Sequence, residues 1–288
     1  MVRVVRLEVL REFDPWKDEL CTCPRKYSLQ PYTGCSFYCL YCYATSYIGR
    51  KPSIPKKNFV QRLERDLRKA DKGKVVNLST SSDPYPWIES RLRLTRKALE
   101  LLLSRGFKVL ITTKSHLVTN DIDLLKGKKA AVMITVTTLR EDVARKLEPG
   151  APAPSLRLRA IRELSEEGIP VGVRIDPIIP SVNDDEDEIK ELVEAVASMG
   201  ARHVTTSTYK ARPDNLKRMV SAFPTIKEFY SSGERVGGYI YLKREMREKL
   251  LRPVSEEAKR LGLTVAYCRE GFPFEAPSCD GSHLIPSH

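Results

Sequence analysis

Cys35, Cys39 and Cys42 stand in the stretch Gly34-Cys35-Ser36-Phe37-Tyr38-Cys39-Leu40-Tyr41-Cys42-Tyr43-Ala44, a C-x3-C-x2-C spacing with an aromatic residue directly before the last cysteine. Three thiolates so spaced can hold three irons of a [4Fe–4S] cube and leave the fourth iron open to a substrate or cosubstrate. The competing readings are a zinc site and three buried core thiols. Structural zinc takes four protein ligands, usually as two C-x2-C pairs, which this spacing does not supply.

Four further cysteines lie apart from that run: Cys21 and Cys23 before the central region, Cys268 and Cys279 after it. If the chain ends meet, these thiols converge into a second closed site. An auxiliary [4Fe–4S] cluster and tetrahedral zinc are the two metal readings, and unliganded thiols are the third. His116, His203, His283 and His288 show no paired metal spacing and read as structural or surface residues.

The elements that must position these residues are legible from alternation. Apolar β-branched runs recur at 27–33, 74–80, 108–113, 130–137, 170–178 and 203–208, separated by stretches with helical apolar spacing such as Leu94, Ala98, Leu101 and Leu102. Six βα units predict an α/β fold, a partial (β/α)6 TIM barrel. Polar clusters fall after the strands, where barrels gather their chemistry. The expected organisation is an N-terminal extension with a Cys pair (1–26), the partial barrel (27–210), and a C-terminal helical region with a Cys-bearing tail (211–288). Pro253 is expected to end or kink the helix over 241–261, and 263–267 reads as a final strand.

The chain has 288 residues, 41% of them hydrophobic and 30% charged, which suits one large domain. No apolar run approaches the ~18 residues that span a bilayer, and the first residues lack a signal-peptide core, so a cytoplasmic monomer without membrane contact is expected. Reduced thiols in that compartment favour metal ligation or catalysis over disulfides. The net charge of +12, from 49 basic and 37 acidic residues, suits an anionic partner such as nucleic acid or, equally, a charge-rich surface. The run Lys243, Arg244, Arg247, Lys249 and Arg252 reads as one solvated helix face or, with Tyr239 and Tyr241, as a phosphate-tracking surface.

The cysteine motif resembles that of the radical S-adenosylmethionine (SAM) superfamily. The likeness narrows to the branch containing spore photoproduct lyase through Ser82-Asp83-Pro84-Tyr85, Leu94-Thr95-Arg96, Thr113-Lys114-Ser115, Glu148-Pro149-Gly150 and Arg174-Ile175-Asp176-Pro177, and covers about 27–210. The resemblance implies an open barrel, SAM, one [4Fe–4S] cluster on Cys35, Cys39 and Cys42, and an electron donor such as ferredoxin or flavodoxin. It implies that Tyr41 packs on adenine, that Ser81, Ser82 and Asp83 meet the methionine ammonium, that Lys114 meets its carboxylate, and that Thr135 helps hold the cofactor. Arg174 and Asp176 either contact SAM or simply pair with each other. Tyr43 is implied in radical relay. The lyase's hydrogen-donating cysteine is missing, since Thr80, Ser81 and Ser82 stand there; Cys268 or Cys279, on a tail able to fold over the barrel mouth, could replace it.

The expected activity is reductive SAM cleavage to a 5′-deoxyadenosyl radical acting on a larger substrate, such as DNA or RNA under repair or modification. The alternatives are a non-catalytic metal- and nucleic-acid-binding protein, and a radical SAM enzyme for a peptide or small molecule.

Overall fold

The computed structural model describes residues 7–13 and 19–287; parts of the N-terminal extension (1–6 and 14–18) and His288 lie outside the described residues. Eight strands lie side by side in chain order: β1 (Leu10–Glu12), β2 (Lys26–Leu29), β3 (Val75–Leu78), β4 (Val109–Thr113), β5 (Ala130–Thr135), β6 (Val171–Ile178), β7 (His203–Thr208) and β8 (Thr264–Tyr267). β2 to β8 run parallel, while β1 is antiparallel at the β2 edge. The helices packed outside include α1 (Phe59–Leu67), α2 (Leu94–Ser104), α3 (Pro154–Glu166), α4 (Glu186–Ser198), α5 (Pro213–Ala222) and α6 (Arg244–Arg260). The apolar residues spaced along α2 and α4, among them Ala98, Leu99 and Leu102 and then Ile189, Leu192, Val193 and Val196, are buried, as a helical stripe against a sheet requires. Strands covered by helices on one face and by their own lumen on the other become nearly continuous apolar runs; all six residues of β5 are buried.

Three elements differ from the sequence reading. The first expected strand stops at Leu29, and Tyr32–Thr33 instead pairs with Ile54–Pro55; Pro31 between them has no N–H to give a continuing ladder. Helix α6 continues through Pro253 instead of breaking there. Leu250, Leu251, Val254 and Ala258 bury one face on both sides of the proline, and that burial outweighs the one missing hydrogen bond. The final strand expected over 263–267 forms as β8, but it joins the barrel sheet beyond the expected limit at residue 210, pairing with β7 from Thr264 against His203 to Tyr267 against Thr206 as the seventh parallel strand.

The tail after β8 was expected over the barrel mouth. It runs instead into the lumen near the N-terminal ends of the strands. Ile285 packs with Leu110, Ala131 and Met133, Thr205 Oγ1 donates to the Cys279 carbonyl at 2.9 Å, and the His283 and His203 rings meet edge to face at 4.8 Å. A partial barrel leaves apolar inward residues without partners, and the tail supplies them. Ile285→Asp should therefore lower unfolding stability by about 2–4 kcal/mol in chemical denaturation; an unchanged midpoint would mean that the tail is not docked.

Candidate active site

The Cys35–Cys42 loop leaves the first half of the barrel and is stitched to its surroundings by backbone. Cys35 N donates to Lys51 O at 2.9 Å, Leu40 N to Leu147 O at 2.8 Å and Gly150 N to Phe37 O at 3.0 Å. Two glycines permit these approaches. Gly34 has φ +73° and a Cβ there would lie 2.2 Å from Pro52 O; a Cβ on Gly150 would lie 2.0 Å from Ser36 O. Helix α5 clamps the other side: Asn215 Nδ2 donates to Tyr41 O at 3.0 Å, and Arg218 donates to Leu40 O and Cys42 O, both at 3.3 Å.

Cys35, Cys39 and Cys42 line one cavity of about 270 Å³ together with Tyr41, Tyr43, Ser81, Ser82, Asp83, Lys114, Thr135, Arg174, Asp176 and Cys268. Every cofactor-contact residue expected from the sequence thus faces the same space. Their immediate partners are more specific. Ser79 takes φ 81° after β3, which turns the following residues toward the cavity. The Asp83 carboxylate accepts from Tyr85 N (2.9 Å), Thr113 Oγ1 (2.7 Å) and Lys114 N (2.8 Å), so it braces the ends of β3 and β4 as well as facing the cavity. Arg174 and Asp176 are ion-paired, and Ser207 Oγ donates to Asp176 at 2.5 Å. Burial opposes the Asp176 charge, yet Arg174 and Lys210 hold its carboxyl below the usual range. The pair also lines the cavity.

Lys114 rests on a carboxylate that sequence reasoning placed in a matching motif but not in the site. Glu148 is fully buried, ion-paired with the equally buried Arg157, hydrogen-bonded by Tyr41 OH, and 4.0 Å from Lys114 Nζ. Burial alone would raise the Glu148 carboxyl, but Arg157, Lys114 and the Tyr41 hydrogen bond bring it below its normal range. Glu270 is a second such hub: it accepts from Thr208 N at 2.7 Å, Lys210 Nζ at 2.8 Å and Arg247 Nη1 at 3.0 Å. This corrects the phosphate-tracking reading of the basic run. Arg247, Tyr239 and Tyr241 are buried, while Arg244 pairs with Glu248.

The donor set fits a thiolate-bound cluster. Three thiols from one loop share one cavity with a lysine close by, and burial pushes Cys35 up to about 11 and raises Cys39, against which Lys114 acts. Among the described residues no three His, Cys, Asp or Glu side chains stand in a ready-made ligand shell, this loop included. Cys23 Sγ lies 3.5 Å from Cys279 Sγ, Cys21 is hydrogen-bonded to Cys23, and Cys268 is hydrogen-bonded to Arg174. Cys23 and Cys268 line the cavity; the buried Cys279 does not, which removes it as a hydrogen donor to a molecule bound there. Among the described residues no helix is long and apolar enough to cross a membrane.

Residues 29–196 match the radical SAM superfamily, and the chain belongs to it. It is a radical SAM enzyme, which overturns the reading as a non-catalytic binding module; membership implies SAM and a [4Fe–4S] cluster. The chain is 31% identical over 208 residues to an uncharacterised protein of Acidianus two-tailed virus, aligning 65% of this chain with 68% of that one. It is 24% identical over 255 residues to a radical SAM Nalpha-GlyT isomerase of Pseudomonas phage M6, covering 84% of this chain and 53% of the isomerase, so it spans about half of that relative's length. Two solved structures share the fold. Spore photoproduct lyase complexed with dinucleoside spore photoproduct has a TM-score of 0.69 at 17% identity, covering 93% of this chain and 81% of the lyase. SuiB of Streptococcus suis bound to the precursor peptide SuiA has a TM-score of 0.58 at 16% identity, covering 83% and 48%.

Glu148→Gln should destabilise the fold by about 3–5 kcal/mol, because it leaves the buried Arg157 without a compensating charge. Thermal or denaturant unfolding checks this, and a loss under about 1 kcal/mol would mean that the pair is not buried as described.

Proposed function

We propose that this enzyme binds SAM across the strand ends and directs its radical chemistry at a nucleotide-bearing substrate. The observation that carries the reading is the single cavity shared by the three motif thiols and the expected SAM contacts. In this reading Cys35, Cys39 and Cys42 hold the cluster, Lys114 meets the SAM carboxylate, and Asp83 with Ser81 and Ser82 meets the ammonium. Tyr41 packs on the adenine, with its ring oriented by the hydrogen bond to Glu148. Thr135 contributes a hydroxyl, and Arg174 and Asp176 present one cationic and one anionic group to the ribose side. The bound cluster and SAM would supply a 5′-deoxyadenosyl radical by one-electron cleavage of the sulfonium, with a reduced ferredoxin or flavodoxin as the electron source. In this reading Tyr43, which lines the cavity, relays a hydrogen atom.

The nucleotide preference rests on the rim and the charge. Among the described residues the exposed large aromatics are Tyr43, Tyr47 and Trp87, at 39%, 41% and 48%. Tyr43 meets Tyr239 edge-on at 6.2 Å, and Arg212 and Arg269 lie over the Tyr239 ring at 4.8 and 4.3 Å. Tyr43 and Tyr47, with Arg212 and Arg269 close by, suit stacked bases and phosphates, and the net charge of +12 has the matching sign. The solved lyase relative is bound to a dinucleoside, which supports the same class.

Anaerobically reconstituted protein with dithionite and SAM should release 5′-deoxyadenosine, and Cys39→Ala should abolish that release because two thiolates hold a cube poorly; unchanged release would end the reading. Affinity for a single-stranded oligonucleotide should fall steeply with salt, and Tyr47→Ala should weaken it about tenfold while leaving uncoupled SAM cleavage intact. Salt-independent or absent binding to both DNA and RNA would reassign the substrate to peptides or small molecules.

A further inference from the structure

The motif loop turns its thiols to the cavity and its backbone to a second segment, residues 50–57. Cys35 N donates to Lys51 O at 2.9 Å, Ser36 N to Ser53 Oγ at 3.0 Å and Ser53 N to Ser36 Oγ at 2.8 Å. Arg50 donates to Tyr38 O at 3.3 Å, with its guanidinium over the Tyr38 ring at 5.5 Å. Within the segment, Ile54–Pro55 pairs with Tyr32–Thr33 as a short ribbon. None of residues 50–57 lines the cavity. A partner bound to this ribbon therefore reaches the cluster loop without displacing a molecule held in the cavity.

The charge of this stretch is one-sided. No Asp or Glu occurs between Glu19 and Glu64, although the chain has 37 acidic residues, and Arg50, Lys51, Lys56 and Lys57 all fall in that gap. Arg50, Lys51 and Lys57 are exposed, and among them stands Ile54, 49% exposed. Glu8 answers Arg62 and Arg65 on the neighbouring α1. Lys56, by contrast, has Arg11 and Arg62 as its charged neighbours, and burial with their repulsion brings its ammonium down to about 8. A surface built only for solubility intersperses both signs, as on α4 and α6, where Lys190 pairs with Glu186 and Arg244 with Glu248.

We propose, on the radical SAM reading of the site, that residues 50–57 are the docking face for the protein that reduces the motif cluster, a small one-electron carrier with carboxylates around its exposed redox group. One electron leaves the reduced carrier and enters the cluster, and no bond forms or breaks on the ribbon. Electron-transfer encounters are brief and bury less than ~1,200 Å², so a short ribbon is enough. Opposite charges steer the encounter, and Ile54 gives it an apolar centre inside a charged rim. A carboxylate set against Lys56 would also relieve the repulsion there. Nucleic acid fits this face less well, because residues 50–57 include no aromatic on which a base could stack.

Calorimetric titration with a flavodoxin of net negative charge tests the face directly. Lys56→Glu/Lys57→Glu should weaken binding about tenfold or more, Ile54→Ser severalfold, and added salt should weaken binding to the parent protein. Release of 5′-deoxyadenosine driven by limiting reduced flavodoxin should fall in proportion in the double variant, while release driven by dithionite keeps the parent rate. Lys97→Glu/Lys128→Glu makes the same change in net charge outside the ribbon and should leave both measurements unchanged. The face needs no bound cluster, so a Cys35/Cys39/Cys42 to Ala variant should bind flavodoxin with the parent affinity. Failure of the radical SAM reading would appear separately, as no release with dithionite in the parent protein. Unchanged flavodoxin affinity in the Lys56/Lys57 variant, an equal loss in the Lys97/Lys128 variant, or a loss of oligonucleotide affinity with flavodoxin binding retained would each overturn the proposal.

Discussion

The site depends on one buried carboxylate. Glu148 sits at the end of the helix after β5, out of contact with water, and three groups from three parts of the chain converge on it: Tyr41 from the cysteine loop, Lys114 from the end of β4, and Arg157 from α3. An ionised carboxylate in such a place is tolerable only when its charge and lone pairs are matched, and the removal of one partner leaves another charge stranded. The consequence is geometric. The tyrosine of the motif and the lysine of the strand end cannot drift independently, so two groups far apart in sequence keep a fixed relation across the cavity.

The rest of the architecture supports that relation from two sides. Backbone bonds to Lys51 and Leu147 and the close approaches at Gly34 and Gly150 fix the loop from the N-terminal half. Asn215 and Arg218 on α5 fix it from beyond the expected end of the barrel. Glu270 does for Thr208 and Lys210 what Glu148 does for Tyr41 and Lys114, and it joins the end of β7 to α6 through Arg247. Below, the tail occupies the lumen. Polar groups that face the cavity gather where the β strands end, which is where a barrel enzyme works.

Much of this was legible in the sequence because it follows periodicity and spacing. The β5 and β7 runs were bounded by turn signals and emerge within two residues of their expected limits, and the strand-end polar residues face one cavity because parallel strands end on one side. What was not legible depends on long-range pairing. Nothing local in Glu148, Glu270 or Asn215 announces burial, since a lone acidic or amide residue normally lies at the surface. The basic run of α6 misled for the same reason: helical spacing shows that Arg247 differs in facing from Arg244, but not that Glu270 waits for it inside. Pro253 was read by its local cost, and the apolar face on either side of it decided otherwise. The tail, rich in Gly, Pro and Ser but carrying Cys279, is pinned, and its place in the lumen is explained by the unpartnered inward residues of an incomplete barrel.

The account stands or falls on an iron–sulfur site with a coordination position open to SAM beside Lys114. Electron paramagnetic resonance of the anaerobically reconstituted, dithionite-reduced protein, recorded before and after addition of SAM, tests this most directly. The account predicts a reduced [4Fe–4S] signal whose g-values shift when SAM binds. A spectrum unchanged by saturating SAM, or the absence of a four-iron signal in protein that retains Cys35, Cys39 and Cys42, would contradict it.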